Sequence, residues 1–121
     1  MLEFEKTSYI IRGCVYEVYR ELGCGYLEKV YERALLREFM CKGLRSEAQV
    51  PFKVSYKGAV VGECLADIVV ENSIILELKA QKHIPAESEA QLLNCLKASG
   101  LNLGFLVNFA FPRARIKRVV L

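Results

Sequence analysis

The clearest structural signal in the chain is Ala66-Asp-Ile-Val-Val-Glu-Asn-Ser-Ile-Ile-Leu-Glu-Leu-Lys-Ala80. It contains two apolar runs, Ile68-Val-Val70 and Ile74-Ile-Leu76, on either side of the polar residues Glu71-Asn-Ser73. Strand-forming residues that flank a short polar turn predict a β-hairpin. Because each run is apolar at every position, we expect both strands to lie inside a sheet that is covered on both faces.

Three charged residues accompany these apolar runs, namely Asp67, Glu77 and Lys79. If the loop consists of residues 71–73, Asp67 lies directly opposite Glu77, and their side chains point to the same face about 5 Å apart. Lys79 lies two residues beyond Glu77 and therefore shares that face. A two-residue loop would shift the register by one and move Asp67 to the other face. The loop length thus determines whether the three groups meet.

Two carboxylates and an ammonium group on an apolar sheet require partners, because burying an isolated charge is unfavourable. Clustered carboxylate oxygens suit Mg²⁺ or Mn²⁺. The ammonium of Lys79 could orient or deprotonate a water molecule there, which is the chemistry of metal-assisted phosphodiester hydrolysis. The alternative is an ion pair between Glu77 and Lys79 at the end of a sheet, with Asp67 merely solvated.

Two helices are predicted before this hairpin. Residues 3–22 and 26–42 carry apolar side chains at helical spacing. Gly23-Cys-Gly25 separates the two helices and Gly43 ends the second, since glycine favours helix termination. Glu28 falls in the first turn of the second helix, where an acid also has a purely structural role next to the positive end of the helix dipole.

The remaining elements complete a layered αβ domain. Residues 49–56 and 59–70 predict two strands joined at Lys57-Gly58, and residues 74–80 predict a third. A helix over residues 85–99 lies between this strand and a buried strand over residues 103–109, which implies a crossover to a parallel neighbour. Residues 113–121 predict an edge strand. The order is α-α-β-β-β-α-β-β, and we expect one domain spanning residues 1–121.

Composition excludes some classes of protein. The chain is 53% hydrophobic, yet no apolar run approaches the roughly 20 residues of a membrane span. Its N-terminus has acids where a secretory signal has a basic head. The five cysteines include no CxxC pair, so we expect reduced thiols, no bond between any two sulfurs, and a cytoplasmic protein. The net charge of +3 is compatible with nucleic-acid binding but does not require it.

Two further polar features have open interpretations. His83 lies in a polar loop, where we expect it to be solvated rather than catalytic. Four basic residues near the C-terminus are consistent either with phosphate contacts or with an edge strand whose charges discourage sheet pairing. These residues are Arg113, Arg115, Lys117 and Arg118.

Several motifs together resemble one known family. Gly25-Tyr-Leu-Glu-Lys-Val-Tyr31 reads GxxExxY, and the bacterial and archaeal family called by that motif is placed within the PD-(D/E)xK nuclease superfamily. The similarity covers nearly the whole chain, including Gln49-Val-Pro51, Leu76-Glu-Leu-Lys-Ala80 and Glu89-Ala-Gln-Leu-Leu-Asn94. It implies a restriction-endonuclease-like fold, which is a three-layer αβα sandwich with a mixed central sheet.

The resemblance also implies roles for individual residues. Asp67 and Glu77 would be metal carboxylates, and Glu28 would complete or tune the metal site. Lys79 would activate water, and Gln91 would help to position water or phosphate. The sequence departs from the family pattern at positions that bear on substrate positioning. The family often has an Arg or polar residue at the position of Leu65 and a Tyr at that of Cys95. It often has a His at the positions of Ser88 and Tyr19.

These observations lead to a functional hypothesis with two rivals. The leading hypothesis is a nuclease dependent on Mg²⁺ or Mn²⁺ that hydrolyses DNA phosphodiester bonds. The second is a catalytically inactive nuclease-fold module that binds nucleic acid or a protein partner. The third is hydrolysis of a small phosphoester. Because the domain is small, a homodimer or a protein partner could supply the rest of a DNA groove.

Overall fold

The computed structural model describes residues 2–121, with side chains described from residue 4 onward. Its helices and strands follow the predicted order, and the bounds of the third helix and the fourth strand agree with the prediction. The elements are α1 (Leu2–Leu22), α2 (Glu28–Cys41), β1 (Ser46–Tyr56), β2 (Ala59–Val70), β3 (Ile74–Lys79), α3 (Ala86–Ser99), β4 (Leu103–Phe109) and β5 (Ala114–Val120).

The strands form one mixed five-stranded sheet in the order β1-β2-β3-β4-β5. Neighbouring strands are antiparallel except β3 and β4, which are parallel and are connected through α3 as predicted. Helices α1 and α2 cover one face of the sheet, and α3 covers the other. The architecture is therefore the expected α+β sandwich of three layers.

The core consists of two apolar clusters, one on each face of the sheet. Alternate residues of the central strands supply them: Ile74 and Leu76 face α1 and α2, whereas Ile75 faces α3. Gly104 on β4 permits the close approach of α3, because a Cβ atom there would lie 2.9 Å from the Leu92 side chain. Strands buried on both faces explain why β3 and β4 are apolar almost throughout.

The outer part of the β1–β2 hairpin is built differently. Residues 51–65, which we call the hairpin arm, pair only within the hairpin, since β3 pairs with β2 only from Ile68 to Val70. Most side chains of the arm are exposed, including Val60 and Val61. Phe52 and Cys64 are half-buried against the cluster beneath α3.

The cysteines correct one prediction. Cys64 on β2 and Cys95 on α3 form a disulfide, with their Cα atoms 5.4 Å apart, so the expectation that no two sulfurs are bonded is wrong. The pairing arises because α3 packs across β2 and brings together two residues separated by 31 positions. Cys14 is buried in the apolar stripe of α1 as expected, and burial raises the pKa of its thiol to about 11. Across residues 2–121, no helix has the length and apolarity to span a membrane.

Candidate active site

Strands β2 and β3 separate at Asp67. The ladder between them pairs Val70 with Ile74 and ends at Ile68 with Leu76, which is the register of the predicted three-residue loop. At the next residue of β2, a side chain takes the place of a backbone hydrogen-bond acceptor. Oδ2 of Asp67 accepts a hydrogen bond from the backbone N–H of Leu78 at 2.8 Å. The carboxylate therefore lies between the two diverging strands.

Glu77 is the most strongly perturbed carboxyl group of this region. Its residue is only 8% exposed, and the Nζ atom of Lys79 lies 3.8 Å from its Oε2. Burial is the main cause that raises the Glu77 pKa to about 7, and the negative charges of Asp67 and Glu28 add to the effect. Lys79 lowers this pKa but does not compensate for the burial.

The pKa of Asp67 is also raised, chiefly by burial. The hydrogen bond from Leu78 acts in the opposite direction, because it favours the ionised form. The charge of Glu32 raises the pKa further, and that of Lys79 lowers it. Perturbed neighbouring carboxyl groups are typical of sites that bind cations or transfer protons.

Glu28 approaches this pair from α2, of which it is the first residue. The loop before it is held by Tyr31, whose hydroxyl donates to the carbonyl of Gly23 at 2.6 Å and accepts from the N–H of Tyr26 at 3.3 Å. The Tyr31 ring stacks on Phe109 with centroids 4.2 Å apart. The GxxExxY sequence thus has a structural reason, since the buried tyrosine fixes the turn that begins the helix. Glu28 itself is solvent-exposed.

Three polar residues around the candidate site were given no role from the sequence: Glu32, Gln49 and Asn108. Glu32 lies one helical turn after Glu28 and is only 6% exposed. It accepts a hydrogen bond from Gln49 Nε2 at 2.6 Å and forms an ion pair with Lys29 at 3.0 Å. The spacing of four between Glu28 and Glu32 is the sequence signal that could have identified the second acid, because residues at i and i+4 share a helix face.

Asn108 is a third such residue, and it orders the backbone that follows Lys79. Its side chain is buried in β4, accepts from the N–H of Gln81 at 3.1 Å and donates to the Gln81 carbonyl at 2.8 Å. Asn108 is also the β4 partner of Lys79 in the parallel ladder. A lone amide inside an otherwise apolar strand is the signal that predicts such a buried hydrogen-bonding role.

A groove of about 860 Å³ leads to Glu77. One wall is the exposed side of α3, with Gln91, Asn94 and Lys97 at intervals of three residues. The other wall is the hairpin arm, and the Cys64–Cys95 disulfide lies between the walls. The structure therefore brings Gln91 into the same groove as Glu77.

The donor set has the chemistry of a site for a hard divalent cation, because Glu28, Asp67 and Glu77 offer oxygen ligands, and the negative charges of Asp67 and Glu28 add to the raised pKa of Glu77. Asp67 has one oxygen engaged with Leu78, which leaves Oδ1 as the donor for a cation. Within the described part of the chain, no group of three or more His, Cys, Asp or Glu side chains is arranged so that it could hold a metal ion. Coordination by Glu28, Asp67 and Glu77 together would require these side chains to move closer to one another.

The other polar candidates lie in the segment after β3 and at the C-terminal edge of the sheet. His83 is exposed in the segment between β3 and α3, as predicted. The basic residues of the C-terminal region lie on or next to β5, which is an edge strand, and Lys117 forms an ion pair with Glu89.

Comparison with known proteins identifies the family of the chain. A family model described as the PD-(D/E)XK nuclease superfamily matches residues 5–119. The chain belongs to this superfamily. In the superfamily's signature, Glu77-Leu78-Lys79 stands as (D/E)XK and Asp67 as the preceding aspartate, with Ala66 in place of proline. The hydrogen bond from Leu78 to Asp67 thus joins the two halves of the PD-(D/E)XK signature.

A solved structure with a similar fold is the crystal structure of SSO0001, with a TM-score of 0.60 and 19% sequence identity. The similar region covers 76% of this chain and 48% of that chain, so the chain spans about half the length of SSO0001. At this identity the likeness shows the fold alone. Among curated proteins, none matches the sequence significantly.

Proposed function

We propose that this chain is a nuclease of the GxxExxY family that hydrolyses DNA phosphodiester bonds with Mg²⁺ or Mn²⁺. The observation that carries the proposal is the buried Glu77, whose pKa is raised to about 7 next to Asp67 and Lys79 at the end of a groove. If Glu77 formed an ion pair with only a structural role, we would expect its carboxylate to ionise easily. Burial instead opposes the ionisation of Glu77, which favours a site that binds a cation from solution.

In the proposed mechanism, Glu28, Asp67 and Glu77 hold the cation, which supplies charge neutralisation of the phosphate and acidification of water. Lys79 places its ammonium beside Glu77, where it orients the attacking water and stabilises negative charge on the phosphoryl oxygens. Gln91 positions water or phosphate from the α3 wall of the groove. Asp67 keeps its orientation through the Leu78 hydrogen bond.

The second candidate is an inactive module that binds nucleic acid or a protein partner. Two observations favour it: the residues that the structure describes contain no closed metal cluster, and the position where the family often has tyrosine is a disulfide-bonded Cys95. A homodimer would be one way to complete the DNA groove in either case. The cytoplasmic location expected from the sequence rested on unpaired cysteines, and the Cys64–Cys95 disulfide removes that argument.

The direct test is cleavage of single-stranded, branched and duplex DNA by purified protein with Mn²⁺ or Mg²⁺. We expect cleavage that a chelator abolishes. Asp67→Ala and Glu77→Ala should each reduce it by at least about a hundredfold, because even residues that only support metal ligands contribute about 10- to 100-fold. Glu47→Ala is the matched control, since Glu47 is an exposed carboxylate on the same hairpin.

Lys79→Ala separates the roles within the site. We expect it to retain Mn²⁺ affinity while cleavage is lost, because Lys79 is not a metal ligand in this proposal. A wild-type protein that binds DNA with a steep salt dependence but cuts nothing under any divalent cation would favour the inactive module. A protein that neither binds nor cuts DNA would contradict both functions.

A further inference from the structure

Gln49 and Asp67 lie opposite each other where the β1–β2 hairpin changes direction, between two paired positions of the ladder. Side chains two residues apart on a strand normally share a face. On either side of Asp67 they do not: Ile68 belongs to the cluster beneath α1 and α2, whereas Ala66 belongs to the cluster beneath α3. The faces of the hairpin therefore exchange at this pair of residues.

The backbone of Gln49 explains the exchange. Its φ angle is 56°, which is uncommon for a residue other than glycine and especially unusual within a strand. Such conformations persist where the surrounding structure enforces them, and they concentrate at functional sites. Here the left-handed residue faces a carboxylate of the candidate metal site.

The side chain of Gln49 is anchored at the same place. Its Nε2 donates to Glu32 Oε1 at 2.6 Å, at the ladder position opposite Asp67. The second oxygen of Glu32 is paired with Lys29. Since both Glu32 oxygens have partners, this carboxylate is suited to hold the Gln49 amide rather than a cation.

A neutral amide is chemically appropriate next to a metal-binding carboxylate. A lysine or arginine at position 49 would form an ion pair with Asp67 and compete with the cation for its charge. A neutral amide leaves that charge in place. Side chains that form hydrogen bonds to metal ligands generally act by orienting the ligand.

We infer that Gln49 is a positioning residue for the cation site: its left-handed backbone turns Asp67 out of the strand ladder, and its amide, anchored on Glu32, fixes the Asp67 carboxylate. This inference rests on the proposed function, because it concerns the same site. It assigns to Gln49 and Glu32 a role in cation affinity that the signature of the superfamily does not contain.

The test measures Mn²⁺ affinity by titration calorimetry and melting temperature in metal-free protein. Gln49→Gly relieves the strain of the positive φ but removes the hydrogen bond to the buried Glu32, so we expect a melting temperature close to that of the wild type. Its Mn²⁺ affinity should nevertheless fall about 10- to 100-fold. Gln49→Asn, which also tolerates positive φ but is too short to bridge Glu32 and Asp67, should lose affinity similarly.

Asn72→Gly is the matched control, because Asn72 is also an amide residue with positive φ, 51°, and lies in the turn between β2 and β3. We expect it to leave Mn²⁺ affinity unchanged. Wild-type affinity in Gln49→Gly, an equal loss in Asn72→Gly, or no Mn²⁺ binding by the wild type would each overturn the inference.

Parallel cleavage assays distinguish this inference from the proposed function. If the wild type binds Mn²⁺ through Asp67 but cuts no DNA, the proposed function fails, while a loss of affinity in Gln49→Gly still supports the role of Gln49. If Gln49→Gly cuts DNA and binds Mn²⁺ like the wild type, the inference fails and the nuclease function stands.

Discussion

The inner and outer halves of β2 are both rich in valine but differ completely in burial. Val69 and Val70 are almost inaccessible to solvent, whereas Val60 and Val61 in the hairpin arm are 59% and 62% exposed. The inner half is covered by helices on both faces and flanked by β3, while the arm has α3 on one side only. The candidate site lies at the boundary between the two halves, at Asp67. Burial along a strand is therefore determined by the layers that cover it rather than by its own residues.

The largest expected effect on stability concerns the bond that ties the hairpin arm to α3. Replacing both Cys64 and Cys95 by alanine should lower the free energy of unfolding of the oxidised protein by about 3–4 kcal/mol, as the chain-entropy model predicts for a loop of this size. Urea denaturation measures the effect. The control is a reducing agent, which should destabilise the wild type and leave the double variant unchanged. Equal unfolding midpoints of the wild type and the double variant under oxidising conditions would show that no disulfide ties the hairpin arm to α3.

The next effect concerns the boundary carboxylate Glu77 in metal-free protein. Its pKa is 4.5 when unfolded and about 7 when folded, so the folded state binds more protons between these values. The stability from protonated Glu77 is therefore fully present below pH 4.5 and is lost as the pH rises to about 7. At about 1.4 kcal/mol per pKa unit, the loss amounts to at most about 3 kcal/mol.

Glu77→Gln isolates this contribution, because it removes the titration while keeping the shape of the side chain. We expect the wild type to become less stable than Glu77→Gln as the pH rises from 4.5 to 7, with no further change above that range. Thermal melts of both proteins in chelator across this range provide the measurement. Parallel stability curves for the two proteins would contradict the raised pKa.

The smallest effect compares the two halves directly through identical substitutions on one strand. Val70→Ala should lower the free energy of unfolding by about 2 kcal/mol, because it leaves a cavity in a core that is closed on both faces. Val61→Ala should change it by less than about 0.5 kcal/mol, since this side chain is mostly exposed. Chemical denaturation of both variants tests the difference. Similar losses would indicate that the arm is covered in solution, for example by a second copy.

The sequence was sufficient to predict the elements and their order because helical and strand periodicities are local properties. The register at Val70 and Ile74 was predicted only for a three-residue loop, which the structure has, and the parallel crossover followed from two buried strands around a helix. These features depend on residues close together in the chain. The resemblance to a nuclease family supplied the architecture that local patterns alone leave open.

The features that were not predicted all depend on contacts between distant parts of the chain. Cys64 and Cys95 carry no local signal of pairing, because only the packing of α3 across β2 makes them neighbours. The buried state of Glu32 depends on Gln49, which is 17 residues away. The positive φ of Gln49 has no glycine or turn motif to predict it. Such contacts require the assembled sheet.

The two edges of the sheet bear on self-association. Strand β1 interrupts its free edge with Pro51, which has no backbone N–H to donate, and it also carries an exposed Lys53. The opposite edge strand, β5, presents Arg115 and Arg118 to solvent. Two copies that paired through β5 would bring their arginines together, and two copies that paired through β1 would lack the backbone donor at Pro51. Extension of the sheet from copy to copy is therefore disfavoured. We therefore expect any dimer to form through a surface other than the sheet edges.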